Sequence, residues 1–142
     1  MADRFAGSDL EVRLVDGGAG RASAVKMCFA AWTKGTSALL LAVRTLADAA
    51  GVDESLLAEW ATSMSGLDDR SRSIAAGVGP KAWRFEGEMH QIANSFDDAG
   101  LPPGFHLAAA ELYSRMADLK GRAPTGSDSV TLDEAVNLLL RE

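Results

Sequence analysis

The chain has 142 residues, enough for one domain with a real core, and 47% of them are hydrophobic. The formal charge is −6, aromatic residues make up 6%, and no basic run occurs, which argues against a nucleic-acid or anionic-membrane surface. The single cysteine, Cys28, excludes an intrachain disulfide and any multi-cysteine metal site. It is expected to pack as a small apolar side chain in a protein of the reducing cytoplasm.

The opening stretch MADRFAGSDLEV has no apolar segment of signal-peptide length. Residues 1–9 read as a flexible lead-in. Leu10–Val15 alternates, with Leu10, Val12 and Leu14 on one face, and is the one good strand signal in the chain. A lone strand cannot satisfy its own backbone groups, so it calls for a partner. Asp16–Gly20 (DGGAG) turns the chain into a helix; it matches neither GxGxxG nor the Walker pattern and reads as a plain turn. Residues 1–20 thus precede a single all-α domain spanning 21–142.

From Gly18 to Gly51 the pattern predicts one long helix that runs through the protein's centre, because Lys26, Lys34, Arg44 and Asp48 are the only charges from Ala22 to Ala50. Met27–Val43 approaches the minimum spanning length, but Lys34 at its middle argues against a membrane helix. At 100° per residue Gly35, Ala38, Leu39, Ala42 and Leu46 share one face, with Cys28, Ala31 and Trp32 beside them. Ser23, Lys26, Ala30, Thr33, Ser37 and Arg44 form a narrow polar seam, with Lys34 at its edge. Two readings of the seam lysines stay open. Either they reach past apolar stems into water, or they face a cleft where an ammonium donates to a substrate hydroxyl or holds a carboxylate.

Past Gly51, Asp53 is placed to cap a helix carrying Leu56, Leu57 and Trp60 to about Met64. The serine-rich stretch after it holds a short helix broken around Gly77–Pro80. Lys81–Asp98 is strongly amphipathic, with a tight stripe of Phe85, Met89, Ile92 and Phe96. A second stripe of Trp83, Gly87, His90 and Asn94 suggests a helix with two usable faces. GLPPG at 100–104 stops and restarts the chain. Phe105, Ala108, Ala109, Leu112, Met116 and Leu119 mark the next helix, with His106 and Tyr113 on its flank. Thr131 and Glu134 form a capping box for a last helix with Leu132, Ala135, Val136, Leu139 and Leu140 as its apolar side. The expected architecture is all-α: a bundle of about six helices around one long central helix, with one short N-terminal strand.

Three blocks carry a family likeness: G-R-A-S-A-V-K-M at 20–27 followed by A-A-W-T-K-G-T-S-A-L-L, K-A-W-R-F-E-G-E-M at 81–89, and G-F-H-L-A-A-A-E at 104–111. In this order they resemble the helical C-terminal domain of the β-hydroxyacid dehydrogenase and 6-phosphogluconate dehydrogenase-like superfamily, over residues 10–141. The branch they resemble has a C-terminal domain catalogued as one of unknown function. The resemblance implies an N-terminal Rossmann domain that binds NAD or NADP, a long interdomain helix, and homodimers formed through the helical domain. It also implies a lysine near the start of that helix that assists hydride transfer at a hydroxyl-bearing carbon; by the motif, that lysine is Lys26. Leu10–Val15 would then resemble the last strand of the nucleotide domain.

The departures are as informative. Ala30 stands where better-known members have an asparagine, and Gly87 and Glu88 stand where they have a Lys-Asp pair. Thr33, Lys34, Arg84 and Glu88 are therefore the candidate substrate-binding set of this branch. Thr33 either binds substrate or back-bonds its own helix. Lys34 holds a substrate carboxylate or a partner's acid, and Glu88 pairs with a lysine as acid/base partner or as a simple ion pair. No GxGxxG follows a strand in the chain, so no cofactor is expected on it alone; NAD or NADP enters with a Rossmann domain, on a separate chain or on a longer one from which this stretch is cut. His90 and His106 are expected to be hydrogen-bonded structural residues, and Trp32, Trp60 and Trp83 core. The implied function is the substrate-binding and dimerisation half of an oxidoreductase acting on a small anionic substrate. The alternative is a stand-alone, non-catalytic helical dimer that binds a small acid or a protein.

Overall fold

The computed structural model describes residues 16–141. Among the described residues there are six α-helices: α1 (Arg21–Ala49), α2 (Asp53–Ser63), α3 (Leu67–Val78), α4 (Ala82–Asp98), α5 (Gly104–Arg115) and α6 (Leu132–Leu139). A 3-10 turn at Gly79–Lys81 joins α3 to α4, where the glycine and proline interrupt the helix, and another at Ala117–Leu119 follows α5. Apart from one isolated bridge between Ala123 and Ser129, no β-structure occurs among the described residues. The fold is all-α. The strand expected at Leu10–Val15 lies outside the described residues.

The 29 residues of α1 span about 43 Å at 1.5 Å per residue, and each of the other five helices packs against it. Its stop is built from the backbone. Gly51, at φ 69°, donates to Asp48 O and Val52 donates to Ala47 O, which closes the last carbonyls. Around it α4 and α5 form the most extensive helix pair. Leu41, Met89, Ile92, Ala110, Tyr113 and Met116 are the sealed centre of the core. The stripe Phe85, Met89, Ile92 and Phe96 faces inward as its spacing predicts. The capping box of α6 is present: Glu134 N–H donates to Thr131 Oγ1, and Thr131 N–H donates to the Glu134 carboxylate.

Several faces differ from expectation, and neighbours explain each. Although α1 is the hub, it is not buried all round: Trp32, Leu39, Leu46 and Cys28 are exposed, because no element of the described chain lies over them. Arg44, assigned to the polar seam, is buried instead. On α4 the second stripe of Trp83, Gly87, His90 and Asn94 faces solvent, so that helix has one packed face. Of the three tryptophans only Trp60 is core. On α5 the inward face is His106, Ala109, Ala110 and Tyr113, rotated from the stripe led by Phe105. The Tyr113 hydroxyl can be buried there because it donates to Lys34 O at 2.6 Å. Asp53 begins α2 without capping it; Val52 takes the cap position and the Asp53 carboxylate turns to Arg44.

Candidate functional site

The structure joins two of the candidate residues directly. Lys34, midway along α1, forms an ion pair with Glu88 on α4. The two elements meet here because α4 turns its apolar stripe onto α1, and Glu88 lies one turn from Phe85 on that face. The Lys34 ammonium stands 4.6 Å from the centroid of the Phe85 ring, close enough for the ring's negative face to attract it. Phe85 is held in turn edge-on to Tyr113, with ring centroids 5.4 Å apart. Tyr113 hydrogen-bonds the backbone of Lys34 itself, so ring, phenol and helix form one closed support for the amine. From the sequence, Phe85 was legible only as part of an apolar stripe and Tyr113 only as a residue on the flank of its helix. Their role beside Lys34 depends on which turn of α1 they meet.

The Lys34 side chain is 21% exposed and that of Glu88 42%. Burial first, then the like charges of Lys26 and Arg84, pull the Lys34 ammonium below its ordinary value. The neighbouring Glu88 carboxylate works in the opposite sense. Lys26 is exposed, two turns before Lys34, and is felt there through its charge. Arg84 is exposed on α4 with its guanidinium 5.9 Å from the Trp83 ring, a ring that Lys120 also covers at 3.9 Å. The four groups set three cations against one carboxylate at the junction of α1 and α4. Such a group can hold a small anion, with Glu88 free to exchange its place on Lys34 for the anion's own carboxylate.

Thr33 donates to Phe29 O at 2.9 Å on its own helix, and Thr36 and Ser37 do the same one turn back at 2.7 and 2.8 Å. These three hydroxyls therefore satisfy their protons locally. The remaining cation of the seam, Arg44, is 4% exposed. Its guanidinium donates to both Asp53 oxygens at 2.9 Å, to Asp68 at 2.6 Å and to Ser71 at 2.9 Å. Burial opposes its charge, but the hydrogen bonds to Asp53 and Asp68 outweigh it and raise its pKa. The Arg44 hydrogen bond in turn holds the Asp68 carboxyl below the usual carboxylate range. His106 is buried without a hydrogen bond to Nδ1, contrary to the expectation of a hydrogen-bonded residue. It packs between Phe96 and Phe105 at centroid distances of 4.3 and 5.1 Å, and burial pulls its pKa down. His90 is exposed on α4.

Lys26, Lys34, Arg84 and Glu88 line none of five hollows on the described surface. At the head of α1, Gly17, Gly18 and Gly20 take positive φ as turn residues.

Residues 47–116, from the end of α1 through α5, match a family described as a domain of unknown function, DUF1932. Domains of this kind are found in the C-terminal region of 6-phosphogluconate dehydrogenase-like proteins. The DUF1932 span contains the blocks at 81–89 and 104–111, with Arg84 and Glu88; the block that carries Lys26 lies before it, as do Thr33 and Lys34. Searches of curated proteins and of solved structures find no match. No helix among the described residues is long and apolar enough to cross a membrane.

Proposed function

We propose that this chain is the substrate-binding and dimerising half of an NAD(P)-dependent oxidoreductase of the β-hydroxyacid dehydrogenase type. The other half is a Rossmann domain that carries the cofactor, on a separate chain or on a longer chain of which this sequence is a part. One observation supports the reading most: a half-buried amine, Lys34, is mounted on Phe85 and Tyr113 and faces a carboxylate within a cluster of cations. In this reading Lys34 and Arg84 bind the substrate carboxylate, Glu88 yields its place on Lys34 and orients the bound acid, and Thr33 accepts a hydrogen bond from it. Lys26, exposed two turns earlier, meets the substrate hydroxyl once the Rossmann domain closes over α1 and, acting as the free amine, takes up its proton while the carbon gives up hydride. The cofactor, when bound by that partner, supplies the hydride acceptor.

A specific observation favours the second reading, a stand-alone dimer that binds a small acid without turning it over. Lys34 is already paired with Glu88 within the chain, and Lys26 lines none of those five hollows. One experiment separates the two. The purified chain is mixed with a Rossmann-domain chain from the same source, and NAD(P)H formation is followed with small 2- and 3-hydroxy acids. The oxidoreductase reading expects turnover only in the mixture, abolished by Lys26→Ala with the thermal melt unchanged. Turnover that survives Lys26→Ala removes Lys26 from the chemistry. Acid binding detected by calorimetry, with no turnover in any mixture, selects the second reading.

A further inference from the structure

Among the described residues, His106 Nδ1 is the one buried side-chain nitrogen or oxygen that makes no hydrogen bond. The residue as a whole is 4% exposed. A buried polar atom left unmatched costs free energy, so its persistence asks for a reason. The surfaces packed on the imidazole supply no partner. Phe96 from α4 and Phe105 from α5 meet it with their rings. On α1 it faces Gly35, where a Cβ would stand 3.7 Å from Nδ1 and 3.0 Å from Phe105 Cε1. Both rings therefore lie close on bare helix backbone, and only a residue without a side chain permits it.

His106 also lines the largest of those five hollows, about 410 Å³ in volume, together with Cys28, Trp32, Leu39, Phe96 and Phe105. That volume is within the range of small-molecule pockets, and an apolar wall with one or two placed polar groups is their usual make-up. No carboxylate, lysine or arginine borders the hollow. Burial lowers the pKa of His106, so its imidazole is neutral near pH 7. A charged ligand would lose its water there and gain no opposite charge. The three aromatic rings in the wall suit a flat apolar body instead. Lys34 projects about 140° round α1 from Leu39, so the hollow is separate from the Lys34–Glu88 pair.

We propose that this hollow binds a neutral aromatic molecule bearing one hydroxyl group, its ring against Trp32 and Leu39 and its hydroxyl on His106 Nδ1. A hydroxyl fits either tautomer of the imidazole, because it donates to a bare nitrogen and accepts from a protonated one. Phe105 now shields that nitrogen. It is 48% exposed and stands in the first turn of α5, so its ring swings toward solvent to admit the hydroxyl while Ala109, Ala110 and Tyr113 stay packed. The Thr36 hydroxyl, also on the wall, spends its proton on Trp32 O and leaves His106 as the group that selects the ligand. This site stands apart from the oxidoreductase reading and takes a ligand of different chemistry from the small acid.

The test is a nuclear magnetic resonance titration of the full chain with two probes of one shape, para-ethylphenol and ethylbenzene. Both should shift the indole N–H signal of Trp32, and the phenol should bind about tenfold more tightly, the value of one hydrogen bond. The phenol alone should move the ring-nitrogen signals of His106. His106→Phe keeps a buried ring and should erase the tenfold advantage while ethylbenzene binds as before. Cys28→Trp, at an exposed position on the wall, should block both probes. Equal affinity of the two probes for the unmodified chain overturns the assignment of the hydroxyl to His106, and needs no variant to fold. Binding that survives Cys28→Trp, or no saturation by either probe up to about 1 mM, overturns the site itself.

Discussion

Two cations of the same helix, Lys34 and Arg44, meet carboxylates in opposite circumstances. Arg44 is buried, its donors are matched by Asp53, Asp68 and Ser71, and nothing about the arrangement invites another ligand. Lys34 keeps access to solvent, has one carboxylate partner, and stands among further cations that lower its hold on the proton. The first pattern ties α2 and α3 to α1. The second leaves an amine that can change partners. Charge on a helix is thus informative only together with how completely its valence is filled.

The contrast can be broken by substitution, beginning with the largest effect. Arg44→Ala leaves two half-exposed carboxylates facing each other and opens a hole beside Ser71. It should destabilise the fold by about 2 kcal/mol in urea denaturation, below the 3–5 kcal/mol typical of a fully buried pair because Asp53 and Asp68 still reach water. Lys34→Met should change stability by less than about 1 kcal/mol, since its pair is partly solvated and the methionine keeps the contact with Phe85. The same substitution should remove small-acid binding in calorimetry. If Arg44→Ala is the milder of the two in urea, the structural and functional assignments exchange places.

Acidity sharpens the comparison. The Asp68 carboxyl is held below its ordinary value by Arg44, so its contribution is fully present above the unfolded value of about 4 and lost as pH falls through the lower folded value. A urea midpoint followed from pH 7 downward should stay level until about pH 4 and then drop. In Asp68→Asn that part of the drop should vanish. At the other end, Lys34 releases its proton more readily than a free lysine, so small-acid binding should fade on the alkaline side before an ordinary lysine, near pH 10.4, would let go. The smallest effect expected is that of Thr33→Val. It removes a hydrogen bond made within one helix turn and should shift stability by no more than about 0.5 kcal/mol. A clear loss of acid binding in that variant would show that Thr33 reaches the ligand.

Local rules were legible wherever one segment decided the outcome alone. The long helix from the glycine turn to Gly51, the interruption near Gly79 and Pro80, the inward stripe of α4 and the Thr131–Glu134 box all follow from residues within a few positions of one another. The ion pair of Lys34 with Glu88 was legible as a possibility for each residue separately, and their meeting was not, because 54 residues separate them. The same limit hid the burial of Arg44, whose partners lie on α2 and α3.

Periodicity identified α1 and sorted its side chains into faces, since 3.6 residues per turn is a property of the backbone alone. Which face went inward was decided by the neighbours. α1 is longer than any helix beside it, so Trp32, Leu39 and Leu46 keep an apolar stripe in the open while Arg44 lies under two carboxylates. Hydrophobicity sets what a side chain gains by being covered; only the packed chain decides whether anything is there to cover it.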